Sequence, residues 1–337
     1  MRYAPRLRSA IVALAALATA ALAAPSARAA DKVTFGTNWV AQAEHGGFYQ
    51  AVADGTYAKY GLDVTIVPGG PQANNRLLLP VGKIDFYMGA NMLQAFSSVV
   101  EGIPTIIVAA LFQKEPQVLI AHPDVTSFEQ LKNKTLFISK EGLASYYQWL
   151  VADYGFSEKQ VKPYTFNAAP FLADKNSAMQ GYVTSEPLAI EKQGGFKPSL
   201  FLLADFGFDT YSTTIETRSE LVNQNPELVQ RFVDASILGW YNYLYGDNAA
   251  ANELIKKDNP EMTDEMIAFS IAKMKEYGIV DSGDAKTLGI GAMTDAKIKS
   301  FYDKMVHAKV VQSDIDYKKS YTTAFVNKGV GKELGPK

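Results

Sequence analysis

Short apolar runs and longer periodic stretches alternate along the first third of the chain. The short runs predict strands at 33–35, 63–67, 84–88 and 105–111. Between them, apolar residues that return with the helical period predict helices at 46–59 and 91–100, and Pro71 is predicted as the first residue of a further helix. Strands separated by helices of this length indicate βαβ units and a mainly parallel sheet covered on both faces.

The alternation then starts again, and it ends in helices. Further strands are predicted at 118–121, 135–139, 162–166 and 199–204, with helices at 128–131, 144–154 and 171–180. Asn225 followed by Pro226 is typical of a helix start, and the apolar period after it continues to about residue 245. Thr263, followed by two acidic residues, predicts the start of another helix. The C-terminal third is therefore predicted to be helical and needs a surface to cover.

The predicted fold class is α/β with two lobes. The simplest path crosses from lobe one to lobe two near 112–117 and returns near 206–213. This path assigns 30–115 and 210–330 to lobe one, with the C-terminal helices packed on it, 116–209 to lobe two, and 331–337 to a flexible tail. Because two crossings form a hinge, and ligands of α/β sheets bind beyond the carboxyl ends of the strands, we expect a ligand cleft between the lobes.

The first 29 residues have the pattern of a signal peptide. Arg2, Arg6 and Arg8 precede an uncharged run rich in Ala and Leu at 10–24, and Ala27-Arg28-Ala29 has the small-x-small form of a cleavage site. The run is shorter than the roughly 20 residues that span a bilayer, which disfavours a membrane anchor. We expect cleavage near Ala29 and export to the periplasm.

Composition excludes several kinds of chemistry. The 337 residues contain no Cys, which excludes thiolate catalysis, Cys-ligated metals and disulfides. The formal net charge of −2 gives no basic surface for nucleic acid. His45, His122 and His307 show no two-histidine metal spacing, and no G-x-S-x-G sequence is present. We therefore expect no enzyme activity, metal or cofactor, and a secreted enzyme is kept as a remote alternative.

Five sequence blocks carry a resemblance to a known family. They are WVAQAEHGGFYQA at 39–51, YGLDV at 60–64, GKIDF at 82–86, LKNKT at 131–135 and GYVTSEP at 181–187. Together they resemble periplasmic substrate-binding proteins of ABC importers related to the thiamine-pyrimidine precursor synthase family, a group that includes receptors for nitrate, sulfonates, taurine and formylaminopyrimidine. The resemblance extends over nearly all of residues 32–330.

The resemblance implies a type II periplasmic binding protein whose two lobes close on a small molecule and then dock on an inner-membrane permease. Apart from the resemblance, we expect a monomer with no nucleic-acid partner. In the pyrimidine-binding members an aromatic ring at the position of Trp39 stacks on a flat heterocycle, and Glu186 followed by Pro187 matches the family motif. The synthase of this group carries a Cys-rich iron motif, which this sequence lacks.

Candidate ligand-binding residues lie at predicted strand ends and helix starts. They are Asn38, Trp39, Glu44, His45, Gly46, Tyr87, Met88, Asn91, Phe112, Ser145, Tyr146, Tyr182, Thr184 and Glu186. Several have structural alternatives: Trp39 as core, His45 or Asn91 as a helix cap, Gly46 as a close-packing residue and Glu186 as a salt-bridge partner. Of two adjacent helical tyrosines at 146 and 147, at most one is expected to face the cleft.

The ligand class follows from the charges expected at the cleft. Tyr182, Thr184 and Glu186 are predicted to alternate along an extended segment and to share one face. A carboxylate there suits the N–H edge of an aminopyrimidine and repels an anion. The segments at 39–47 and 139–147 contain one basic side chain, Lys140. A neutral or weakly basic heterocycle, first a thiamine-precursor pyrimidine, is therefore expected, with a small anion such as nitrate, a sulfonate or taurine, or a flavin, as alternatives.

Overall fold

The structure is a computed structural model that describes residues 29–70 and 73–336. The predicted signal segment up to residue 28, the predicted helix start at Pro71 and the last tail residue lie outside the described residues. Within the described part, no helix combines the length and the apolar character needed to cross a membrane.

Among the described residues, ten strands form two sheets. The strands are β1 (Asp31–Gly36), β2 (Leu62–Val67), β3 (Phe86–Asn91), β4 (Thr105–Phe112), β5 (Gln117–Ala121), β6 (Thr135–Ile138), β7 (Val161–Pro163), β8 (Ser177–Tyr182), β9 (Ser199–Leu202) and β10 (Ser212–Arg218). The first sheet has the order β2-β1-β3-β10-β4, and the second has the order β7-β6-β8-β5-β9. We call the part of the chain built on the first sheet lobe one and the part built on the second sheet lobe two.

Each sheet is parallel except for one strand. In the first sheet β10 runs antiparallel to both of its neighbours, β3 and β4. In the second sheet β5 runs antiparallel to β8 and β9. Both odd strands are the first strand that the chain enters after it has passed from one sheet to the other. The predicted α/β class with a mainly parallel arrangement is confirmed.

The chain passes between the sheets twice. It leaves lobe one where β4 ends at Phe112 and enters lobe two where β5 begins at Gln117. It returns between Leu202, the last residue of β9, and Ser212, the first residue of β10. The two-crossing hinge of the predicted fold is therefore present, and its two segments run beside each other because β4 and β10 are paired.

The helices surround the two sheets. They are α1 (Gly46–Ala53), α2 (Thr56–Lys59), α3 (Met92–Val100), α4 (Lys140–Leu143), α5 (Tyr146–Tyr154), α6 (Ala169–Ala173), α7 (Glu186–Gly194), α8 (Ser219–Gln224), α9 (Pro226–Tyr245), α10 (Ala249–Asp258), α11 (Asp264–Glu276), α12 (Ala285–Leu288) and α13 (Asp295–His307). The predicted caps are formed, since Asn225 accepts from the N–H of Leu228 and Thr263 from that of Met266.

The long helix α9 covers the first sheet. Phe232 on α9 stacks on Phe86 of β3 with ring centres 4.0 Å apart. Nearer the C-terminal end of α9, the rings of Tyr243 and Trp240 lie directly against Gly46 and Gly47 of α1. A Cβ atom on either glycine would overlap the ring that it faces. The two glycines therefore allow α1 and α9 to pack closely, and the C-terminal helices pack on lobe one as expected.

Two strands differ from the sequence prediction. The segment 177–182 is β8, although its first residues were predicted to end a helix. It is buried on both faces at the centre of the second sheet and therefore lacks the alternation that marks a half-exposed strand. The strand β10 was not predicted, because its buried face is rich in Ser and Thr and carries Glu216.

The helix predicted after Pro71 is also shorter than expected. The described residues form a single 3-10 turn, Asn75–Leu78. The apolar side chains of Leu77 and Val81 in this region are 61% and 66% exposed.

Candidate ligand-binding site between the lobes

A cavity of about 50 Å³ lies between the two lobes. Both lobes and the first crossing contribute to its wall, which consists of Asn38, Trp39, Gln42, Glu44, His45, Met88, Ala90, Asn91, Glu115, Gln117, Ser139, Glu141, Gly142, Ser145, Tyr146, Gln180, Gly181, Tyr182, Glu186 and Thr213. Most of these residues are buried. The cavity therefore lies where a cleft was expected, and the lobes are closed over it.

The loop after β1 places Trp39 at the cavity. The Oγ1 of Thr37 donates to the carbonyl of Trp39 at 2.9 Å, and the N–H of Gly69 donates to the same carbonyl at 3.0 Å. A Cβ on Gly69 would collide with the carbonyl of Thr37, so this close approach requires glycine. The Trp39 ring packs edge to face against Phe166 of lobe two, with ring centres 6.1 Å apart. Trp39 thus contacts the opposite lobe as well as the cavity.

The 3-10 turn Ala43–His45 brings two buried titratable side chains to the wall. Glu44 Oε1 accepts a hydrogen bond from Thr184 Oγ1 of lobe two, whereas Glu44 Oε2 has no partner. Burial raises the pKa of Glu44 to about 7. Burial also lowers the pKa of His45 to about 3, so its imidazole is neutral, and its Nδ1 has no partner.

Glu115 lies in the first crossing and connects the hinge to the cavity. Its Oε2 is 3.4 Å from Asn91 Nδ2, and its Oε1 accepts from the N–H of Gln117 at 3.3 Å. Its residue surface is 2% exposed, and burial raises its pKa to about 8. Asn91 caps α3 with its Oδ1 and donates from Nδ2 to Ser145 Oγ of lobe two at 2.8 Å. Asn91 is therefore both the predicted cap and a part of the wall.

Lobe two also contributes a carboxylate, that of Glu141, which contacts lobe one. Glu141 Oε1 on α4 accepts from Asn38 Nδ2 at 3.2 Å and from Gln94 Nε2 at 3.3 Å. Burial of its carboxyl raises its pKa. On α5, Tyr146 lines the cavity and donates to Gln180 at 3.1 Å, whereas Tyr147 donates to the carbonyl of Ser157 away from the cavity.

Glu186 is the first residue of α7, and its own lobe occupies both of its oxygens. Oε2 accepts from the N–H of Tyr182 at 2.7 Å, and Oε1 accepts from the hydroxyl of Tyr164 at 3.1 Å. Burial raises the pKa of this carboxyl despite these hydrogen bonds. Glu186 lines the cavity, but it also holds the turn between β8 and α7 in place.

Ten of the fourteen residues predicted for the site line the cavity. They are Asn38, Trp39, Glu44, His45, Met88, Asn91, Ser145, Tyr146, Tyr182 and Glu186. The structure brings them together from both lobes, which is the arrangement that a ligand bridging the lobes requires. Their role in binding stays a prediction.

Four predicted residues lie elsewhere. Phe112 is fully buried and packs edge-on against Trp240, with ring centres 5.4 Å apart. Gly46 donates its N–H to the carbonyl of Ala43 and packs against α9. Tyr87 is buried beside a neighbouring cleft, and Thr184 contacts Glu44 from outside the wall. The extended segment predicted at 182–186 is a strand end, a turn and a helix start, so its residues do not share one face.

The sequence prediction missed several residues of the wall. They are Gln42, Ala90, Glu115, Gln117, Ser139, Glu141, Gly142, Gln180, Gly181 and Thr213. Glu115 had a usable signal, because it is a charged residue inside a crossing that was predicted to border the cleft. Gln180 had none, since it was assigned to a helix.

Thr213 in the cavity wall and Phe166 beside Trp39 have backbone conformations that favour glycine. Thr213, where the chain re-enters lobe one, has a φ of 45°, and Phe166, which contacts Trp39, has a φ of 60°. Positive φ is costly for residues with a β-carbon, above all for a β-branched one. The surrounding structure therefore holds both residues in place.

The wall is acidic. Glu44 and Glu115 are fully buried, Glu141 and Glu186 are partly buried, and the wall has no Lys or Arg among the described residues. The described part of the chain also contains no group of three or more His, Asp or Glu placed to hold a metal ion. Carboxylates and amide oxygens at such a wall can accept hydrogen bonds from a ligand.

A second cleft of about 320 Å³ adjoins the cavity and shares Asn38, Trp39 and Glu141 with it. Arg76 lies in this second cleft and donates to the carbonyl of Gln94 at 2.6 Å and to Ser98 Oγ at 2.8 Å. It also lies 3.8 Å from a carboxylate oxygen of the buried Glu216 on β10. Arg76, whose charge lowers the pKa of Glu141, is therefore already paired outside the cavity.

Two α/β lobes, two crossings and an enclosed cavity between them define the fold of a periplasmic binding protein. The periplasmic aliphatic sulphonate-binding protein SsuA from Escherichia coli superposes with a TM-score of 0.59 at 15% identity, over 86% of this chain and 91% of that one. The chain belongs to the NMT1/THI5-like family, whose model matches residues 42–251. The suspected family relationship is thereby confirmed.

The similar proteins differ in what they do. The riboflavin-binding protein RibY of Chloroflexus aurantiacus is 29% identical over 236 residues, which are 67% of this chain and 66% of RibY, so the match spans slightly less than two thirds of that relative. The desulfurization enzyme DSZB superposes with a TM-score of 0.56 at 14% identity, over 90% of this chain and 99% of that one. The fold therefore occurs in binding proteins and in an enzyme.

Proposed function

We propose that the protein is the periplasmic receptor of an ABC importer and captures a small planar nitrogen heterocycle, first of all a pyrimidine of the thiamine-precursor class. The observation that supports this most directly is the wall of the interlobar cavity, which combines the rings of Trp39, Tyr146 and Tyr182 with carboxylate and amide oxygens. Rings provide stacking surfaces, and the oxygens accept from ring N–H and amino groups.

The charges of the wall disfavour an anionic ligand. Four carboxyl groups surround the cavity, and no Lys or Arg lies among the wall residues that the structure describes. A sulfonate or nitrate bound there would require these carboxyl groups to stay protonated, because each one that ionised would repel the anion at short range in a poorly solvated site. The small-anion alternative is therefore the weaker one for this cavity, although SsuA shares the fold.

The volume of the cavity favours a small ligand. An enclosed apolar cavity that admits benzene has about 150 Å³, compared with about 50 Å³ here. Even a single ring therefore requires some opening of the lobes or displacement of side chains, and a one-ring pyrimidine requires the least.

A flavin is the second candidate. The riboflavin-binding relative supports it, and so does the adjoining cleft of about 320 Å³ that shares Trp39 with the cavity. A three-ring ligand with a polar chain would need both spaces together and therefore a larger opening of the lobes.

The transport cycle of the proposed receptor follows from the contacts between the lobes. Hydrogen bonds from Thr184 to Glu44, from Asn38 to Glu141 and between Asn91 and Ser145 join the two lobes. A ligand that contacts both lobes adds to these contacts only when the lobes are closed, so it shifts the population towards the closed form. The permease would then recognise the closed receptor.

The remaining parts of the proposal concern processing and organisation. We place cleavage of the signal peptide near Ala29 and assign 30–115 with 210–330 to lobe one, 116–209 to lobe two and 331–337 to a flexible tail. The mature protein would act in the periplasm as a monomer, without a catalytic step and without a bound cofactor.

A ligand screen tests the proposal. Native mass spectrometry of the protein purified from its host should reveal a bound heterocycle, and thermal-shift and calorimetric titrations should rank aminopyrimidines first among pyrimidines, riboflavin, alkanesulfonates, taurine and nitrate. Preference for riboflavin would favour the second candidate. Preference for a sulfonate or nitrate, with no response to any heterocycle, would contradict the proposal, and turnover of a bound compound would establish an enzyme instead.

A further inference from the structure

Four residues that line one part of the cavity carry buried polar atoms that have no hydrogen-bond partner. We call this part of the wall the acceptor face, and its atoms are Asn38 Oδ1, Gln42 Oε1, Glu44 Oε2 and His45 Nδ1. Gln42, Glu44 and His45 are each more than nine-tenths buried. The three oxygens are acceptors, and the nitrogen is an acceptor in one of its two neutral tautomers. Because buried polar groups are normally paired, these atoms indicate a partner that supplies several hydrogen-bond donors.

The carboxyl groups around the cavity differ in how far the protein already satisfies them. Glu186 uses both oxygens within lobe two, and Glu141 accepts two side-chain amides. Glu115 makes two long hydrogen bonds of 3.3 and 3.4 Å. Glu44 alone among these four has a fully buried oxygen without a hydrogen-bond partner, and its other oxygen is bonded to Thr184. Glu44 is therefore the carboxyl best placed to receive a ligand.

We propose that the ligand binds as an organic cation of the amidinium type, such as a protonated aminopyrimidine, and that Glu44 Oε2 on the acceptor face is its main anionic partner. This inference rests on the proposed function and deepens it, because that proposal gives the shape of the ligand and this one gives its charge. It also revises the sequence-based expectation of a neutral or weakly basic ligand, and it assigns the principal contact to Glu44 instead of Glu186. An amidinium presents parallel N–H donors, which pair with a carboxylate through charge-assisted hydrogen bonds.

The groups that face Glu44 leave room for such a charge. His45 beside it is neutral, and the neighbouring hydroxyls of Tyr146, Tyr182 and Tyr243 have a pKa that burial raises far above neutrality. Glu115, Glu141 and Glu186 approach from the crossing and from lobe two. Arg76 is paired with Glu216 in the adjoining cleft. A cation would therefore be the compensating charge in the cavity itself.

Proton release accompanies the capture of a cation. Burial raises the pKa of Glu44 to about 7 and that of Glu115 to about 8, so the empty closed site holds protons near neutral pH. A cation favours the ionised carboxylates and displaces those protons. A neutral ligand gives the site no reason to lose them. The number of protons released therefore distinguishes the two charge states of the ligand.

The experiment uses three matched pyrimidine-type compounds and one control cation. The compounds are 4-amino-2-methylpyrimidine, the fixed cation 2-amino-1,4,5,6-tetrahydropyrimidinium, which keeps parallel N–H donors, and the neutral isostere 2-methylpyrimidin-4-one; benzamidine is a planar amidinium without a heterocycle. Calorimetry at pH 7 in buffers of different ionisation enthalpy measures affinity and proton release. We expect the fixed cation to bind at least about tenfold more tightly than the neutral isostere, with release of about one proton per ligand.

Glu44→Gln is the decisive variant, because it keeps the shape of the side chain and an oxygen that can accept from Thr184. It should lower affinity for the fixed cation by about tenfold or more and leave affinity for the neutral isostere unchanged. Glu115→Gln is a second variant at the same cavity, in case the first one folds poorly. Glu191→Gln on the exposed face of α7 is the matched control and should change neither affinity.

The outcomes separate this inference from the proposed function. Equal or tighter binding of the neutral isostere or of riboflavin, without proton release, would overturn the cationic ligand while the heterocycle receptor stood. If benzamidine bound in a way that depends on Glu44 and no pyrimidine bound, the inference of a cationic ligand would be supported and the proposed heterocycle ligand would be contradicted. Binding of sulfonate alone would overturn both.

Discussion

Trp39 both lines the cavity and contacts the opposite lobe. Its backbone is fixed by Thr37 and Gly69, and its ring packs against Phe166 of the opposite lobe. A ring held in this way is positioned before the ligand arrives, so little side-chain entropy is lost on binding. Trp39 therefore combines the two properties that a stacking residue of a closing receptor needs.

Trp39→Ala should weaken the binding of an aminopyrimidine by about tenfold or more, because both the stacking surface and the contact with lobe two are lost. Titration calorimetry measures the change. The thermal midpoint should fall little, since the indole is only partly buried. Tyr317→Ala, which removes an aromatic ring outside both clefts, is the control. Unchanged affinity in Trp39→Ala would exclude this ring from the binding site.

At the scale of elements, the packing of α1 on α9 determines where the turn with Glu44 and His45 lies. That turn directly precedes α1, and α1 approaches α9 closely because Gly46 and Gly47 have no side chain. Gly239 on α9 likewise lies against the carbonyl of Gly47. The acceptor face is thus positioned by a glycine-mediated helix contact in lobe one.

Gly47→Ala should destabilise the protein by roughly 1–3 kcal/mol, because the added methyl group overlaps the ring of Trp240 in a packed core. Urea unfolding followed by circular dichroism measures the change in the free energy of unfolding. Val52→Ala, on the partly exposed face of the same helix, should cost no more than about 0.5 kcal/mol. Equal costs for the two variants would contradict close packing at Gly47.

The helices and strands also differ in whether they could be predicted from the sequence. Helix starts at Asn225 and Thr263 were found because a cap is a local signal, and the lobe-one candidates were found because a family resemblance covers the loop after β1. The strands β8 and β10 were missed because they are buried on both faces or carry buried polar residues. Local hydrophobic periodicity does not register such burial, which results from neighbouring strands distant in sequence.

The residues of the candidate site also divide into those that the sequence could predict and those that it could not. Trp39, Glu44 and His45 follow a predicted strand and could be assigned to a cleft. Glu141 could not be, because its partners Asn38 and Gln94 belong to the other lobe and are distant from it in sequence. Contacts between the lobes have no signature in the order of residues along the chain.

At the scale of the whole molecule, the acidic wall makes closure of the empty receptor depend on pH. Closing the lobes buries Glu44 and Glu115, whose pKa values rise from 4.5 to about 7 and about 8. Between pH 4.5 and about pH 8 the closed folded state binds more protons than the unfolded state. The free energy of unfolding is therefore greatest near pH 4.5 and falls as the pH rises to about 8. Each unit of pKa shift corresponds to about 1.4 kcal/mol, so the two shifts together set an upper limit of about 8 kcal/mol on the loss.

Opening the lobes relieves this loss, because it returns water to both carboxylates. The radius of gyration of the ligand-free protein, measured by small-angle scattering, should therefore increase between pH 6 and pH 8.5, and its thermal midpoint should fall. The double variant Glu44→Gln with Glu115→Gln should remove most of both changes, since an amide does not ionise. A bound cation should keep the lobes closed across the whole range, because it stabilises the carboxylates that a closed empty site must protonate. A radius of gyration that is independent of pH in the ligand-free protein would show that these two carboxyls do not control closure.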